Sequence, residues 1–278
     1  VAHREQDRLI EETLMYAFEY QRPDSVAKAV GAATGDARFL AGGQSLVQSM
    51  KLRLSSASTL VDLGGIDGLR GISRDGSSVK IGAMTRHSEV ARSADVRAAI
   101  PALADLAGGI GDQMVRNMGT LGGSIANSDP AADYPAGVLG LGATVQTDRR
   151  SIAADDFFKD LFTTALQPGE LIVSVSFPIP QRAAYVKFKQ PASRFALVGV
   201  FVSQGASGVR VAVTGARSHV FRVPQMEQAL SRDFRPDAIA GIRLDPAGYN
   251  SDLHASAEYR AAMVTVMARR AVEKALAG

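Results

Sequence analysis

The chain of 278 residues contains no cysteine. It can therefore form no disulfide, offer no thiolate nucleophile, and hold no zinc ion or iron–sulfur cluster through sulfur. Histidine is scarce as well. His3, His87, His219 and His254 are far apart, and no two stand at a metal-ligand spacing. Long apolar runs are missing, and none approaches the ~20 residues that a membrane-spanning helix needs. The opening residues, Val1-Ala2-His3-Arg4-Glu5-Gln6-Asp7-Arg8, lack the apolar centre of a secretory signal, so a cytoplasmic protein is expected. Charge of one sign is not concentrated either: the net charge is +3 with no long basic run, which removes the electrostatic case for nucleic acid.

What is present suits folded cores. Hydrophobic residues make up 46% and charged residues 21%, and the length allows about two domains at ~100–200 residues each. Residues 1–14 are charged and read as an extension, and Met15 starts a fresh pattern. Residues 16–20, 38–41 and 59–63 read as short strands. Pro23-Asp24-Ser25 opens a helix, so this stretch forms a small β-α-β unit. Residues 71–73 and 79–83 pair across Asp75-Gly76. Helices are expected at residues 88–94, 98–109, 135–141 and 157–162, and strands at 143–147 and 170–177. Beyond Pro178-Ile179-Pro180 the pattern changes to three antiparallel strands, at residues 185–189, 196–203 and 209–214. An amphipathic helix over residues 256–276 closes the chain, with its methionines serving as packing.

Two glycine-rich turns carry the chemistry. Ala41-Gly42-Gly43-Gln44-Ser45 follows a strand, and Thr120-Leu121-Gly122-Gly123-Ser124 ends a glycine-dense stretch. Successive exposed N–H groups in such turns make a concave anion site, and Ser45, Thr120 and Ser124 can add hydroxyl donors. Two of them could clamp a pyrophosphate from both sides. Either one alone also reads as an ordinary tight turn. Neither is a G-x-G-x-x-G fingerprint or a phosphate loop with its lysine, which disfavours the usual dinucleotide folds and nucleotide triphosphatases.

In their longer context these segments resemble a known family. Residues 39–54 run Phe-Leu-Ala-Gly-Gly-Gln-Ser-Leu-Val-Gln-Ser-Met-Lys-Leu-Arg-Leu, and residues 114–135 carry Arg-Asn-Met-Gly-Thr-Leu-Gly-Gly-Ser before Asp-Pro-Ala-Ala-Asp. With Val61-Asp62-Leu63, Pro168-Gly169-Glu170-Leu171 and Glu258-Tyr259-Arg260 in order, the chain is similar from Met15 onward to the FAD-binding medium subunits of the xanthine dehydrogenase and carbon monoxide dehydrogenase family. That resemblance implies an α+β fold. A PCMH-type FAD-binding domain in two subdomains (residues 15–70 and 71–177) precedes a C-terminal domain (178–278) whose three-stranded antiparallel sheet packs on helices.

The resemblance also implies roles. Leu40, Ala41, Gly42, Gly43, Gln44, Ser45 and Leu46 form the first FAD loop. Thr120, Leu121, Gly122, Gly123 and Ser124 form the second. Asp133 accepts a hydroxyl of the FAD ribose or ribityl, although ahead of Pro135 it also reads as a helix cap. Ile110 packs near the isoalloxazine, Leu171 and Ile172 run along its pyrimidine edge, and Lys189 approaches the ring, though it also reads as a solvated strand lysine. The implied complex adds a large molybdenum–pterin subunit and a small subunit with [2Fe–2S] clusters, as a dimer of heterotrimers. Electrons would pass from those clusters to FAD and on to an external acceptor. The alternative is a stand-alone flavin oxidoreductase, for which His87, read as a loop residue, is the nearest base. Met118, Asp112 and Val47-Gln48 depart from the family pattern.

Overall fold

The structure, a computed structural model, describes residues 15–278, so the extension expected at residues 1–14 lies outside the described residues. The chain begins with β1 (Glu19–Gln21), α1 (Val26–Ala32), β2 (Arg38–Leu40), α2 (Leu46–Lys51) and β3 (Thr59–Asp62). The three strands form a parallel sheet in the order β1-β3-β2, and parallel neighbours require crossovers, which α1 and α2 supply. Ser25 starts α1 by accepting the Lys28 N–H. Ala29, Val61, Leu63 and Leu69 form the core of this unit, joined by Met84 and Leu171 from later in the chain.

A second sheet is antiparallel. It uses β4 (Ile72–Asp75), β5 (Ser78–Gly82), β6 (Thr144–Thr147), β7 (Ser151–Ala153) and β10 (Ile172–Pro178) in the order β4-β5-β10-β6-β7. The turn at Asp75-Gly76 holds because Asp75 Oδ1 accepts both the Ser78 N–H and hydroxyl, at 2.9 and 2.8 Å. Six helices lie between β5 and β6: α3 (His87–Arg92), α4 (Ala94–Ala99), α5 (Pro101–Gly108), α6 (Gln113–Met118), α7 (Leu121–Asn127) and α8 (Tyr134–Gly140). The single helix expected over residues 98–109 is two. Pro101 has no N–H with which to continue α4, and instead occupies the first turn of α5.

The helix expected at residues 157–162 does not form. One turn, α9 (Ala154–Phe157), gives way to a small hairpin of β8 (Phe158–Asp160) and β9 (Thr163–Thr164). The pairing of Phe158 with Thr164, and the burial of Phe157 and Phe158 edge to face at 5.0 Å, outweigh local propensity. Asp155 lies in that turn and is held by Arg210 at 2.7 Å and Arg222 at 3.1 Å.

The last sheet runs β11 (Arg182–Lys189), β12 (Ala196–Gly205), β13 (Gly208–Thr214) and β14 (Phe221–Arg222), all antiparallel. It has four strands where three were expected. The added β14 is two residues long, too short to carry an alternating signal in the sequence. Val198, Val200 and Val202 point to one face, against α10 (Pro224–Arg232) and α11 (Ala257–Leu276), together with Met267 and Ala271. Tyr185, Phe201 and Ala212 point to the other face and join the core of the second sheet. The strands thus alternate between two cores. Arg260 fastens α11 to the sheet: it is buried, donates to the carbonyls of Leu197 and Gly215 at 2.7 and 2.8 Å, and pairs with Asp252 at 2.7 Å. Among the described residues, no helix is long and apolar enough to cross a membrane.

Candidate functional site

A cleft of about 940 Å³ is lined by residues of the first two sheets, the helices between them and the turn that joins β11 to β12. That volume is at the upper end of the range for cofactor sites. The turn after β2 forms one wall with Ala41, Gly42, Gly43, Gln44, Ser45 and Leu46. Gly43 has φ +71°, a left-handed conformation that glycine adopts without strain. The backbone N–H groups of Gly43, Gln44, Ser45 and Leu46 meet no acceptor among the described residues. This is a row of free donors in a cleft wall, the arrangement that binds anions.

The opposite wall comes from α7. A β-carbon on Gly42 would sit 2.2 Å from the Met118 carbonyl oxygen and 2.7 Å from the Gly119 Cα, so the two glycine segments touch backbone to backbone. The second segment is not the open turn expected from the sequence. Thr120 caps α7, and Gly122 and Gly123 lie in its first turn. Its N–H groups are already used. Leu121 donates to Thr85 O at 3.1 Å, Gly122 to Ala83 O at 2.8 Å, and Gly123 to the Thr120 hydroxyl at 3.2 Å. His87 N–H completes the zip by donating to Gly119 O at 3.0 Å. A second nest of free backbone donors is therefore absent. Thr120, Gly122, Gly123 and Ser124 still line the cleft, with the close packing of Gly122 on Ala83 and of Gly123 on Ala41 letting the walls approach.

Asp133 lies on the cleft, 4% exposed. It stands at the N-cap position of α8, but its side chain makes no cap hydrogen bond. Its Oδ1 accepts the Tyr185 hydroxyl, and its Oδ2 accepts Lys187 Nζ at 2.9 Å. Burial pushes its carboxyl above the usual range, against the opposing pull of Lys187 and of both hydrogen bonds. Lys187 also donates to Gly109 O at 2.9 Å. β11 thus contacts the cleft residue Asp133 through Lys187, while Lys189 is exposed; neither lysine lines the cleft itself. The ladder slips register between Phe188 and Lys189, with Leu197 the extra residue on β12, and Lys189 stands at the exposed end of β11.

Ile110, Leu171 and Ile172 line the cleft. The Leu171 backbone is already engaged, donating to Asp148 Oδ1 at 2.7 Å and accepting from Asp148 N–H at 2.9 Å, so it offers no free edge. Leu40 and Leu121 lie outside the cleft. Leu40 packs with Met50, Ala57 and Leu60, and Leu121 is fully buried in the large core. Beside Leu171, Glu170 is clasped by Arg150 at 2.9 Å, which holds its carboxyl down to about 2 with help from Gln167 N–H and Thr147, despite burial. Asn127, Asp129 and the β11–β12 hairpin tip at Arg194 and Phe195 also line the cleft. Sequence reading passed over them, although Asp129 and Asp133 bracket one Asp-Pro-Ala-Ala-Asp run. His87 is no loop residue: it opens α3, is 4% exposed, and is held neutral with its pKa lowered to about 4 by burial and by Arg116. Among the described residues no cluster of His, Asp or Glu could hold a metal ion.

The family described as the FAD-binding domain in molybdopterin dehydrogenase matches residues 16–180. The chain belongs to this family. It is 36% identical to the carbon monoxide dehydrogenase medium chain of Afipia carboxidovorans over 94% of its own length and 97% of that chain. It is 34% identical to the nicotine 6-hydroxylase medium subunit of Paenarthrobacter nicotinovorans, covering 93% and 97%. Among solved structures, CO dehydrogenase from Oligotropha carboxidovorans superposes with a TM-score of 0.88 at 34% identity, covering 95% of this chain and 99% of that one. Within the FAD-binding family pattern, the departure at Asp112 has a local role, since it caps α6 by accepting the Val115 N–H at 2.9 Å. At the Met118 departure the backbone carbonyl is what abuts Gly42.

Proposed function

We propose that this chain is the FAD-binding electron-transfer subunit of a heteromeric molybdenum hydroxylase. Its partners would be a large molybdenum–pterin subunit and a small [2Fe–2S] subunit, assembled as a dimer of heterotrimers. Electrons would enter FAD from the partner clusters and leave to an external acceptor. Relatives that this chain matches nearly end to end are medium chains of carbon monoxide dehydrogenase and nicotine 6-hydroxylase, which supports a subunit over a self-sufficient enzyme.

The observation that carries the reading is the row of N–H groups at residues 43–46 that meet no acceptor among the described residues, in a cleft of dinucleotide scale that the second glycine segment also lines. The FAD diphosphate fits against that row, with the Ser45 and Ser124 hydroxyls near it. Asp133 would accept a hydroxyl with a lone pair that Tyr185 and Lys187 leave free. Ile110 and Ile172 supply apolar surface for the ring. The protein's work is to place the flavin and set its electrostatics, while the flavin supplies one- and two-electron chemistry. A stand-alone oxidoreductase would need an acid or base at a substrate pocket, and the neutral, enclosed His87 makes a poor one.

Purification of the chain alone and with its genomic neighbours tests this. One FAD per chain, with molybdenum and iron entering only alongside two co-purifying partners, is the expected result. A colourless chain that takes up no added FAD would refute it, and a yellow chain that turns over a substrate unaided would favour the stand-alone enzyme.

A further inference from the structure

His87 has no part in the reading above, yet it sits where the two glycine segments meet. It lines the cleft, and its ring edge packs on Gly119, where an added β-carbon would come within 2.5 Å of Nε2 and 2.9 Å of Cδ2. Gly119 in turn abuts Gly42 of the opposite wall. Neither ring nitrogen has a hydrogen-bond partner among the described residues. Nδ1 is sealed from solvent and orphaned, and the hydroxyl of Tyr134, whose ring lies 5.2 Å from the imidazole, is orphaned beside it.

A neutral imidazole carries one N–H and one acceptor nitrogen. A buried N–H without an acceptor is rarer and costlier than an under-used lone pair. The sealed Nδ1 therefore favours the lone pair, which puts the proton on Nε2. That nitrogen is at the cleft wall next to Gly119. The neighbouring charge is Arg116, which works with burial against an imidazolium. The ring is therefore a neutral donor, positioned by the backbone N–H of His87, which donates to Gly119 O, and by packing on Tyr134, and the ring itself has no acceptor among the described residues.

We propose that His87 is a cofactor-contacting residue whose Nε2–H donates a hydrogen bond to an acceptor oxygen of the bound FAD, at the junction of the two glycine segments. The proposal rests on the FAD reading and adds to it a donor that the second segment's engaged backbone cannot provide. It also gives Gly119 a function: any side chain there would displace the donor.

The test uses the full chain, stripped of flavin and titrated with FAD, with histidine labelled by nitrogen-15 and the His87 signal identified by its loss in His87→Gln. The expected result is an Nε2–H tautomer at neutral pH, whose proton shifts and becomes protected from solvent exchange when FAD is added. His87→Phe should weaken FAD binding about 5–10-fold, the scale of one lost neutral hydrogen bond, while His87→Gln, which keeps a donor, should stay within about 3-fold. Melting of the flavin-free variants separates a folding defect from a lost contact, and the tautomer measurement stands even if His87→Phe fails to fold. An Nδ1–H tautomer, an imidazolium, or a His87 signal unmoved by saturating FAD would overturn the proposal. If the unmodified chain binds no FAD, the functional reading itself fails. If it binds FAD and His87→Phe binds it equally well, the donor assignment alone falls.

Discussion

Replacing Lys187 by methionine removes the one cation among the described residues that pairs with Asp133. Lys187 Nζ lies 2.9 Å from Asp133 Oδ2, and the two side chains are only 9% and 4% exposed. Removing one partner of such a buried pair leaves an uncompensated charge, which typically destabilises by about 3–5 kcal/mol. Two features reduce that here. The Tyr185 hydroxyl still donates to Oδ1, and Asp133 can take up a proton, because burial has already raised its carboxyl. A loss of about 2–3 kcal/mol at neutral pH is expected. The pH dependence has a definite sign. A carboxyl whose folded-state pKa is raised binds more protons in the native state, so stability falls as pH rises from its unfolded value through its folded one. Lys187 opposes that rise, so without it the window extends upward. Urea unfolding of the unaltered chain and of Lys187→Met should differ most in alkaline buffer and converge in acid. Adding Asp133→Asn to Lys187→Met should recover part of the loss, and the double-mutant cycle should return a coupling well above 1 kcal/mol. The exposed Lys189→Met is the control and should stay within about 0.5 kcal/mol. Equal effects at the two lysines, or a coupling near zero, would refute the reasoning.

Gly42→Ala should lower both thermal stability and FAD content, since its β-carbon meets backbone that cannot swing aside; overpacking of this kind costs about 1–3 kcal/mol. An unchanged melting temperature would show that the two walls do not touch there. Gly122→Val should destabilise the chain even without flavin, because its side chain strikes Ala83 before it could reach a ligand; a defect seen only in FAD binding would contradict that packing. Glu170→Gln should cost about 1–2 kcal/mol at neutral pH, allowing for the half-exposed Arg150 partner. The lowered carboxyl stabilises the fold above its ordinary value of 4.5, and that contribution is lost as pH falls through about 2, so the unaltered chain and the variant should converge in strong acid.

Much of the architecture could be read from local pattern. The short strands, the Ser25 and Ser256 helix starts, and the long closing helix are written in residue spacing, because period and capping act over a few neighbours. The first glycine segment was likewise legible, since Gly42-Gly43 after a strand permits little but a tight turn with exposed donors. The second was misread in kind. Nothing in Thr-Leu-Gly-Gly-Ser tells that Ala83 and Thr85, over thirty residues earlier, take its N–H groups and wind it into a helix.

The amino-acid order alone settled the family, the small-residue walls and the want of any cysteine ligand, because these follow from residue identity and near-neighbour geometry. Only tertiary structure decided which lysine meets Asp133, which glycine segment keeps free N–H groups and which packs on protein, and that the neutral His87 ring has no partner among the described residues. A register slip, a backbone contact and a desolvated ring each depend on atoms brought together from distant parts of the chain, and no local pattern encodes that meeting.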